Sequence, residues 1–366
     1  MQKRIKRSPR TVVHNLFLTL ALSLAVVCLF TSTGQYGLFA DARQGEALAA
    51  VSAAKERYLI PGGMPFGIRL ETEGVVVVGF TKSAVDIPSP AERAGIALGD
   101  VIRSVGDVKV EGAAGLSSLI EASGGQPLTV TLLRDGKTVT KTVTPLPDAE
   151  GHYRAGLKVR DGTAGIGTVT AIDPVTMQFV GLGHGICDSD TGVLLPLKRG
   201  TVYDVSVTAV RKGAQGAPGE IKGYFSSCEC GTVLRNSQQG VQGQFQGKCF
   251  QDIQPMAVAS CREVRTGKVT ILCTLGDNVR REYEASIVKM TSASGKEKNF
   301  IIKVTDPELL QKTGGIVQGM SGSPIIQNGK LVGAVTHVMV ADPTEGYGIF
   351  IENMLNAENI PMAKAS

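Results

Sequence analysis

The segment GGIVQGMSGSPIIQNGKLVGAVTH, residues 314–337, places one serine in a run of glycines and then continues as two apolar, strand-like stretches. The serine is Ser321, with Gly319 and Gly322 close to it on either side. Glycines permit backbone conformations that other residues avoid and let a ligand approach the main chain. A nucleophilic serine needs this, because amide N–H groups aimed at one spot stabilise the oxyanion formed on attack. The alternative is an ordinary tight turn. Whether Ser321 is a nucleophile therefore depends on whether the chain also supplies a general base and an orienting acid, and on the cellular compartment in which it works.

The composition favours a β-rich protein and gives no indication of nucleic-acid binding. The chain has 366 residues, of which 43% are hydrophobic, with 45 glycines and no tryptophan. This length is enough for two or three domains. The net charge is +5, and five basic residues lie within the first ten positions, where there is no acid. The rest of the chain therefore carries 33 basic and 33 acidic residues, without the basic patch that nucleic acids require.

An apolar run follows that basic cluster. Residues 16–30 read LFLTLALSLAVVCLF, and the uncharged span around them is long enough to cross a bilayer. A basic flank before such a span predicts a signal anchor with its basic end in the cytoplasm. We therefore assign 1–31 to a single transmembrane segment and the Ala-rich residues 32–56 to a linker. Removal at a signal-peptide site, Ala40-Asp41-Ala42, is the alternative, and in both cases the rest of the chain works outside the cytoplasm.

Residues 57–147 alternate strand-like runs with glycine turns around two short helical patterns. The portions SPAERAGIALGDVI, 89–102, and GLSSLIEASGG, 115–125, together with a predicted hairpin turning at Asp135-Gly136, resemble a PDZ domain. The resemblance implies a peptide groove between a strand and the second helix, filled by strand addition. The predicted groove residues are Gly63, Phe66 and Gly67, in a loop that departs from the usual G-L-G-F form, and Leu116 and Leu119 on the helix. The alternative is that both leucines are core.

Residues 148–366 contain many short strand-like runs and few helical patterns, which predicts a β-sandwich or barrel. Two of the four histidines are poor candidates for the base, since His14 falls in the apolar segment and His152 in a polar turn between the domains. His184, in FVGLGHGICDSDTG, ends an apolar strand between two glycines, which suits a residue exposed to a ligand. His337 lies within a later strand and is interpreted as structural or as a wall of the cleft. His184 is therefore the preferred general base.

The acid of a catalytic triad should be a carboxylate that orients the imidazole. Asp306, in FIIKVTDPELL, follows a strand 15 residues before Ser321. Because Asp before Pro is also a common helix start, a capping role is its alternative. Asp188, Asp190 and Asp204 are competing candidates, and chemistry alone places Asp306 only slightly ahead.

The cysteine content is consistent with export from the cytoplasm, but the sequence does not show which cysteines form disulfides with each other. Beyond Cys28, six cysteines remain, and six allow 15 pairings; they are Cys187, Cys228, Cys230, Cys249, Cys261 and Cys273. The Cys228-Glu229-Cys230 spacing does not match a zinc ribbon, and no histidine stands nearby at ligand spacing. Structural disulfides are preferred to a metal site, with free buried thiols as a further alternative. No metal and no cofactor are predicted.

The order of the anchor, the PDZ-like segment, GHGICDSDTG and GMSGSPIIQNGKLVGAVTHV resembles the SpoIVB serine peptidase family of endospore formers over nearly the whole chain. The resemblance implies a His184–Asp306–Ser321 triad, with the amides of Gly319 and Ser321 as the oxyanion hole. The G-x-S-G-x-P frame also resembles chymotrypsin-like peptidases and implies paired β-barrels. The expected fold is therefore mainly β: a single membrane-spanning helix, an α+β PDZ domain and a chymotrypsin-like double β-barrel peptidase domain.

The resemblance implies a function as well. It implies a membrane-tethered endopeptidase in the inner forespore membrane, with its catalytic part between the two forespore membranes. The implied substrate is stage IV sporulation protein FA, whose cleavage activates intramembrane processing of pro-sigma-K, and self-cleavage is implied too. The PDZ domain would bind peptide termini or internal segments. Two alternatives stay open: a PDZ scaffold with an inert peptidase domain, and a general envelope quality-control protease.

Overall fold

The computed structural model describes residues 56–357, except 82–87, 248, 249, 251 and 292–296. The predicted transmembrane segment, 1–31, and the linker as far as residue 55 lie outside the described residues, as does Cys249. Within the described part of the chain, no helix is both long enough and apolar enough to span a bilayer.

The described residues form a mainly β protein with four short helices, as the sequence predicts. The strands are β1 (Tyr58–Pro61), β2 (Pro65–Phe80), β3 (Val101–Val105), β4 (Val108–Lys109), β5 (Leu128–Arg134), β6 (Lys137–Val143), β7 (Leu146–Pro147), β8 (Tyr153–Arg154), β9 (Leu157–Ile172), β10 (Gln178–Gly181), β11 (Leu197–Arg211), β12 (Glu220–Ser237), β13 (Gly240–Phe245), β14 (Met256–Ala257), β15 (Gly267–Thr274), β16 (Arg280–Met290), β17 (Phe300–Val304), β18 (Pro324–Gln327), β19 (Lys330–Met339) and β20 (Asp342–Phe350). The helices are α1 (Pro90–Arg93), α2 (Gly112–Ala122), α3 (Pro307–Thr313) and α4 (Ile351–Leu355).

Six strands close into a first barrel. β9, β10, β13, β12, β11 and β2 pair antiparallel in that order, and β2 pairs again with β9 to complete the ring. Alternate residues of such a barrel point inward, and Phe66, Phe179 and Phe245 pack together there. Because the ring is closed, its strands have few unpaired edges, and the barrel does not need long helices to cover them.

A second barrel follows in the chain. Its strands run in the order β15, β16, β17, β20, β19 and β18, and the ring is closed. Tyr283, Phe300 and Ile302 are almost fully buried in its core. The hairpin from β18 to β19 turns at Asn328-Gly329, where both residues have positive φ as a tight two-residue turn requires. The predicted double barrel is therefore confirmed.

The PDZ unit has its own core, which contains Val75, Val77, Ile102, Leu116 and Leu132. It is built from β3 to β6, α1, α2 and the adjoining parts of β2 and β9. Its local features agree with the sequence-based expectation. α1 begins with a capping box formed by Ser89 and Glu92, and the β5–β6 hairpin turns at Asp135-Gly136.

The two long strands β2 and β9 serve both the PDZ unit and the first barrel. Residues 65–71 of β2 pair with residues 162–168 of β9 in the barrel, whereas residues 76–80 pair with residues 157–160 in the PDZ unit. The register shifts between Glu71 and Val76, where the strand passes from one sheet to the other. The PDZ unit is therefore inserted into the barrel, while the expected domains, 57–147 and 148–366, follow one another along the chain.

This pairing corrects the predicted PDZ carboxylate loop. Phe66 is 2% exposed and belongs to the barrel core, and the Gly67 Cα pairs with Ile166 in the barrel. The Gly63 amide donates to the Val169 carbonyl, and the Thr274 hydroxyl donates to the Gly63 carbonyl. Gly63, Phe66 and Gly67 thus connect strands of the barrels and do not line a groove of the PDZ unit. A strand-like pattern does not state which sheet it joins.

Candidate active site

The Ser321 loop connects α3 to β18 and needs its glycines. Gly319 and Gly322 both have φ of +98°, a conformation that side chains with a Cβ rarely adopt. A Cβ on Gly322 would lie 2.0 Å from the Thr168 carbonyl oxygen, and one on Gly319 would lie 2.9 Å from the Ile221 Cβ. The glycines therefore allow the serine loop of the second barrel to lie directly against the first barrel.

Two threonines of β9 hold this loop in place. The Thr168 amide donates to the Ser321 carbonyl at 2.9 Å, and the Thr168 hydroxyl donates to the Gly319 carbonyl at 2.7 Å. The Thr170 hydroxyl donates to the Gly322 carbonyl at 2.7 Å. Buried hydrogen bonds of this kind fix main-chain geometry, because breaking one leaves a polar group unsatisfied. Neither threonine is predicted from the sequence, since nothing local distinguishes them from other strand threonines.

Along the serine loop, amides that donate a hydrogen bond alternate with amides that donate none. The amides of Gln318, Met320 and Gly322 donate to the carbonyls of Gly219, Val317 and Val335. The amides of Gly319 and Ser321, by contrast, donate to no group among the described residues. Such free, neighbouring donors are what an oxyanion hole provides. This pattern supports the predicted role of the two amides.

His184 follows β10 at a sharp turn. Leu182 and Gly183 have φ of 66° and 69°, and a Cβ on Gly183 would lie 2.8 Å from the Thr336 side chain. The turn therefore brings His184 against the second barrel. Its Nδ1 lies 2.9 Å from the Gly185 carbonyl oxygen; because a carbonyl only accepts, we assign the proton to Nδ1. Nε2 is then left with the lone pair that a general base requires.

His184 and Ser321 line one cavity of about 270 Å³. The Ser321 hydroxyl donates to the Thr336 carbonyl at 2.5 Å, and no hydrogen bond joins it to His184. Hydrogen bonds between catalytic groups are often incomplete before substrate binds. A rotation about the Cα–Cβ bond of Ser321 is the change that we expect to turn the hydroxyl towards His184.

A second histidine lies beside the first. The His337 ring centroid is 4.7 Å from that of His184. Burial, His184 and Lys298 together lower the pKa of His337 to about 4. Burial also lowers the pKa of His184 below its ordinary value of 6.5, although the Gly185 carbonyl opposes this effect. Both imidazoles are therefore neutral near pH 7, and neutral is the form in which His184 can accept a proton.

Asp306 forms no hydrogen bond with either histidine. Its carboxylate accepts hydrogen bonds from the amides of Leu309 at 3.0 Å and Glu284 at 3.2 Å, and so caps α3. Over the described ranges, no carboxylate forms a hydrogen bond with His184. Asp188 and Asp190 pair with Arg160, and Asp204 is exposed on β11. The contacts support the capping alternative for Asp306, and its role as the triad acid stays a prediction from the resemblance.

The lowered pKa of His184 predicts the pH dependence. The base must be neutral, so activity should fall as pH drops through the pKa of His184. Because that pKa is lowered, we expect the acid limb of kcat/KM to have its midpoint below pH 6.5. The measurement is hydrolysis of a small ester from pH 4 to 9. The same acid limb of kcat/KM should be present in His337→Gln, because His184 remains the base. A midpoint above pH 6.5 would contradict the conclusion that burial lowers the pKa of His184.

A groove of about 450 Å³ lies beside α2 in the PDZ unit. Leu116, Ser117 and Ile120 line it from the helix, and Gly156 and Leu157 line it from the start of β9. Leu116 is 2% exposed and also belongs to the PDZ core, which supports the alternative that it is a core residue, while its peptide-binding role stays a prediction. Leu119 packs partly buried against that core and does not line the groove.

The segment just before β9 has free amides beside this groove. The carbonyls of Ala155 and Gly156 accept from the amides of Ala91 and Thr81. Their own amides donate to nothing in the described ranges, and Gly156 has φ of +70°. Free amides beside an apolar groove suit the capture of a peptide carboxylate. A glycine between apolar residues before a strand, as in RAGLKV, was the sequence signal for this loop.

The cysteines form neither the expected disulfides nor a metal site where the structure describes them. Cys187, Cys228, Cys261 and Cys273 carry free thiols. No group of three His, Cys, Asp or Glu side chains able to hold a metal ion occurs among the described residues. Cys273 lies in the core of the second barrel, where burial raises the pKa of its thiol to about 12. This thiol is therefore protonated and packs as a small apolar group.

Comparison with known families gives two matches that cover most of the described chain. Residues 151–355 match the family described as SpoIVB peptidase S55, and residues 62–144 match the PDZ domain. The first match covers more than half of the chain. The chain is also 38% identical over 80 residues to a Mesorhizobium japonicum protein named as zinc metalloprotease mll0638; the match spans 22% of each chain.

Solved structures show weaker similarity. The Rv3671c protease from M. tuberculosis in its active form is 16% identical, with a TM-score of 0.34, over 53% of this chain and 73% of that chain. The HtrA-type protease AlgW with a tripeptide is 12% identical, with a TM-score of 0.32, over 52% of this chain and 54% of that chain. Neither likeness adds to the description of the site.

Proposed function

The chain belongs to the SpoIVB peptidase S55 family, and on that premise we propose that it is a membrane-tethered serine endopeptidase that signals during endospore formation. The proposed substrate is stage IV sporulation protein FA, and its cleavage activates intramembrane processing of pro-sigma-K. The proposed location is the inner forespore membrane, with the catalytic part between the two forespore membranes. Self-cleavage is part of the proposal. The basic flank and apolar run of residues 1–31 support the membrane tether.

The observation that carries the proposal is the grouping of a serine, a neutral histidine and two free amides. Ser321 Oγ attacks the peptide carbonyl, and His184 Nε2 takes its proton. The Gly319 and Ser321 amides stabilise the oxyanion, and His184 then passes its proton to the leaving amine. The resulting ester on Ser321 is hydrolysed by water in the reverse roles. Asp306 would support His184 only if α3 moved, because its carboxylate now caps that helix.

The inert-scaffold alternative explains these features less well. A domain that only bound partners would have no use for two unpaired amides next to an accessible serine hydroxyl. The quality-control alternative shares the chemistry and differs in substrate choice. Purified full-length protein in vesicles should cleave stage IV sporulation protein FA at one or a few positions and leave unfolded casein largely intact. Cleavage of casein with no cleavage of stage IV sporulation protein FA would favour quality control.

The PDZ groove should recruit the substrate without taking part in the chemistry. Ser117 lines the groove and is exposed on α2, whereas its exposed neighbour Ser118 does not line it. Ser117→Tyr should fill the groove and lower the cleavage rate of stage IV sporulation protein FA about tenfold at low concentration, because the recruiting contact is lost. Cleavage of a short peptide should be unchanged.

Ser118→Tyr is the matched control, since it adds the same side chain outside the groove. Equal melting temperatures of the two variants would show that both fold. If folded Ser117→Tyr cleaves the membrane substrate as fast as Ser118→Tyr does, the recruitment role is wrong.

A further inference from the structure

The cavity beside Ser321 has apolar walls. Ile68, Ile166, Leu182 and Ile186 line it, and residues 163–165 form its small-residue side. No acidic residue, lysine or arginine lines the cavity. A charged side chain placed there would lose its hydration without gaining a partner, which is unfavourable. The cavity therefore suits an apolar side chain.

The position of His184 indicates which substrate residue reaches this cavity. In serine-peptidase chemistry, the base that takes the serine proton gives it to the leaving amine. The residue that follows the scissile bond must therefore lie next to the imidazole. Leu182, Gly185, Ile186 and Cys187, which flank His184 in the chain, line the cavity. The ring of His337, next to that of His184, does not line the cavity.

We propose that this cavity binds the side chain of the first residue after the scissile bond and selects leucine, isoleucine or methionine there. This inference rests on the proposed peptidase function and adds a substrate class to it. The selecting surface comes from the first barrel, on β2, β9 and the His184 turn. Substrates with an acidic or basic residue at that position should be cleaved poorly.

Gly165 offers a way to fill the cavity without disturbing the fold. A Cβ on Gly165 would meet no atom within 4 Å, and its φ lies outside the strained positive range. Gly165→Leu therefore adds a side chain at the cavity wall. Gly276, in the turn between β15 and β16, has the same open surroundings and lies outside the cavity. Gly276→Leu is the matched control.

The experiment compares two kinds of substrate that share one acyl part. The first is a peptide series with Leu, Ala, Asp or Lys after the scissile bond, and the second is the peptidyl methyl ester, which has no residue there. The wild type should prefer Leu over Asp by about tenfold or more in kcat/KM. Gly165→Leu should lower kcat/KM for the Leu peptide about tenfold and leave ester hydrolysis within about twofold. Gly276→Leu should resemble the wild type with both substrates.

Three results would overturn the assignment. One is a wild type that cleaves all four peptides equally well. Another is a Gly165→Leu variant that loses ester hydrolysis as strongly as Leu-peptide cleavage, since the cavity would then bind the acyl side. The third is a wild type that neither hydrolyses the ester nor reacts with a fluorophosphonate, which overturns the peptidase function and this inference with it. The first two leave the peptidase function standing.

Discussion

Ser321→Ala will reduce peptide hydrolysis by about 10⁴-fold or more and abolish both self-cleavage and labelling by a fluorophosphonate probe. The expected loss is large because the nucleophile forms the covalent intermediate, and no other hydroxyl replaces it. The fold should persist, since the Ser321 side chain makes one hydrogen bond, to the Thr336 carbonyl. Probe labelling, rates of peptide cleavage and thermal melting would measure these effects.

Ser323→Ala is the matched control, two residues further along the same loop. The Ser323 hydroxyl is buried and has no hydrogen-bond partner among the described residues. Removing an unsatisfied buried hydroxyl costs little stability, so this variant should keep its activity and its melting temperature. Self-cleavage by purified Ser321→Ala at the wild-type rate would end the serine-peptidase assignment.

His184→Gln should lose nearly as much activity as Ser321→Ala, because glutamine cannot accept the serine proton. The same change at the neighbouring histidine, His337→Gln, should lower the rate by no more than about tenfold, since the Ser321 hydroxyl donates to the Thr336 carbonyl and His337 only lies beside the His184 ring. Rates with the methyl ester separate this chemistry from peptide recognition. Equal losses in the two variants would mean that both imidazoles take part in the reaction.

Asp306→Asn separates the two roles proposed for that carboxylate. Asparagine caps a helix about as well as aspartate does, so a capping residue should tolerate this change. We expect Asp306→Asn to keep most of its activity and to lose less stability than Asp306→Ala, because its amide oxygen can accept from the Leu309 amide but its amide nitrogen cannot accept from the Glu284 amide. Asp306→Ala should lose about 1–2 kcal/mol of unfolding free energy. A collapse of activity in Asp306→Asn that still folds would show that the negative charge is needed and would support the triad predicted from the resemblance.

Local patterns in the sequence were sufficient for several features. The glycines around Ser321 predicted a backbone that only glycine adopts, and the structure has φ of +98° at Gly319 and Gly322. Asp135-Gly136 predicted a hairpin, and the glycines beside His184 predicted a strand-end residue that faces a ligand, where the structure has His184 half-buried on a cavity wall. These predictions succeed because each depends on neighbours a few residues away, whose steric limits can be read directly.

Only the tertiary structure decided which strand pairs with which. Phe66 belongs to the first barrel and Gly156 to the PDZ groove, although the strand patterns around them look alike. The hydrogen bonds from Thr168 and Thr170 to the serine loop join residues about 150 positions apart in the chain, and only the tertiary contacts show which amides the Asp306 carboxylate binds. Alternating apolar residues define a strand and its buried face but not its partner. That choice depends on the combined packing of two closed barrels and an inserted unit, which no short segment contains.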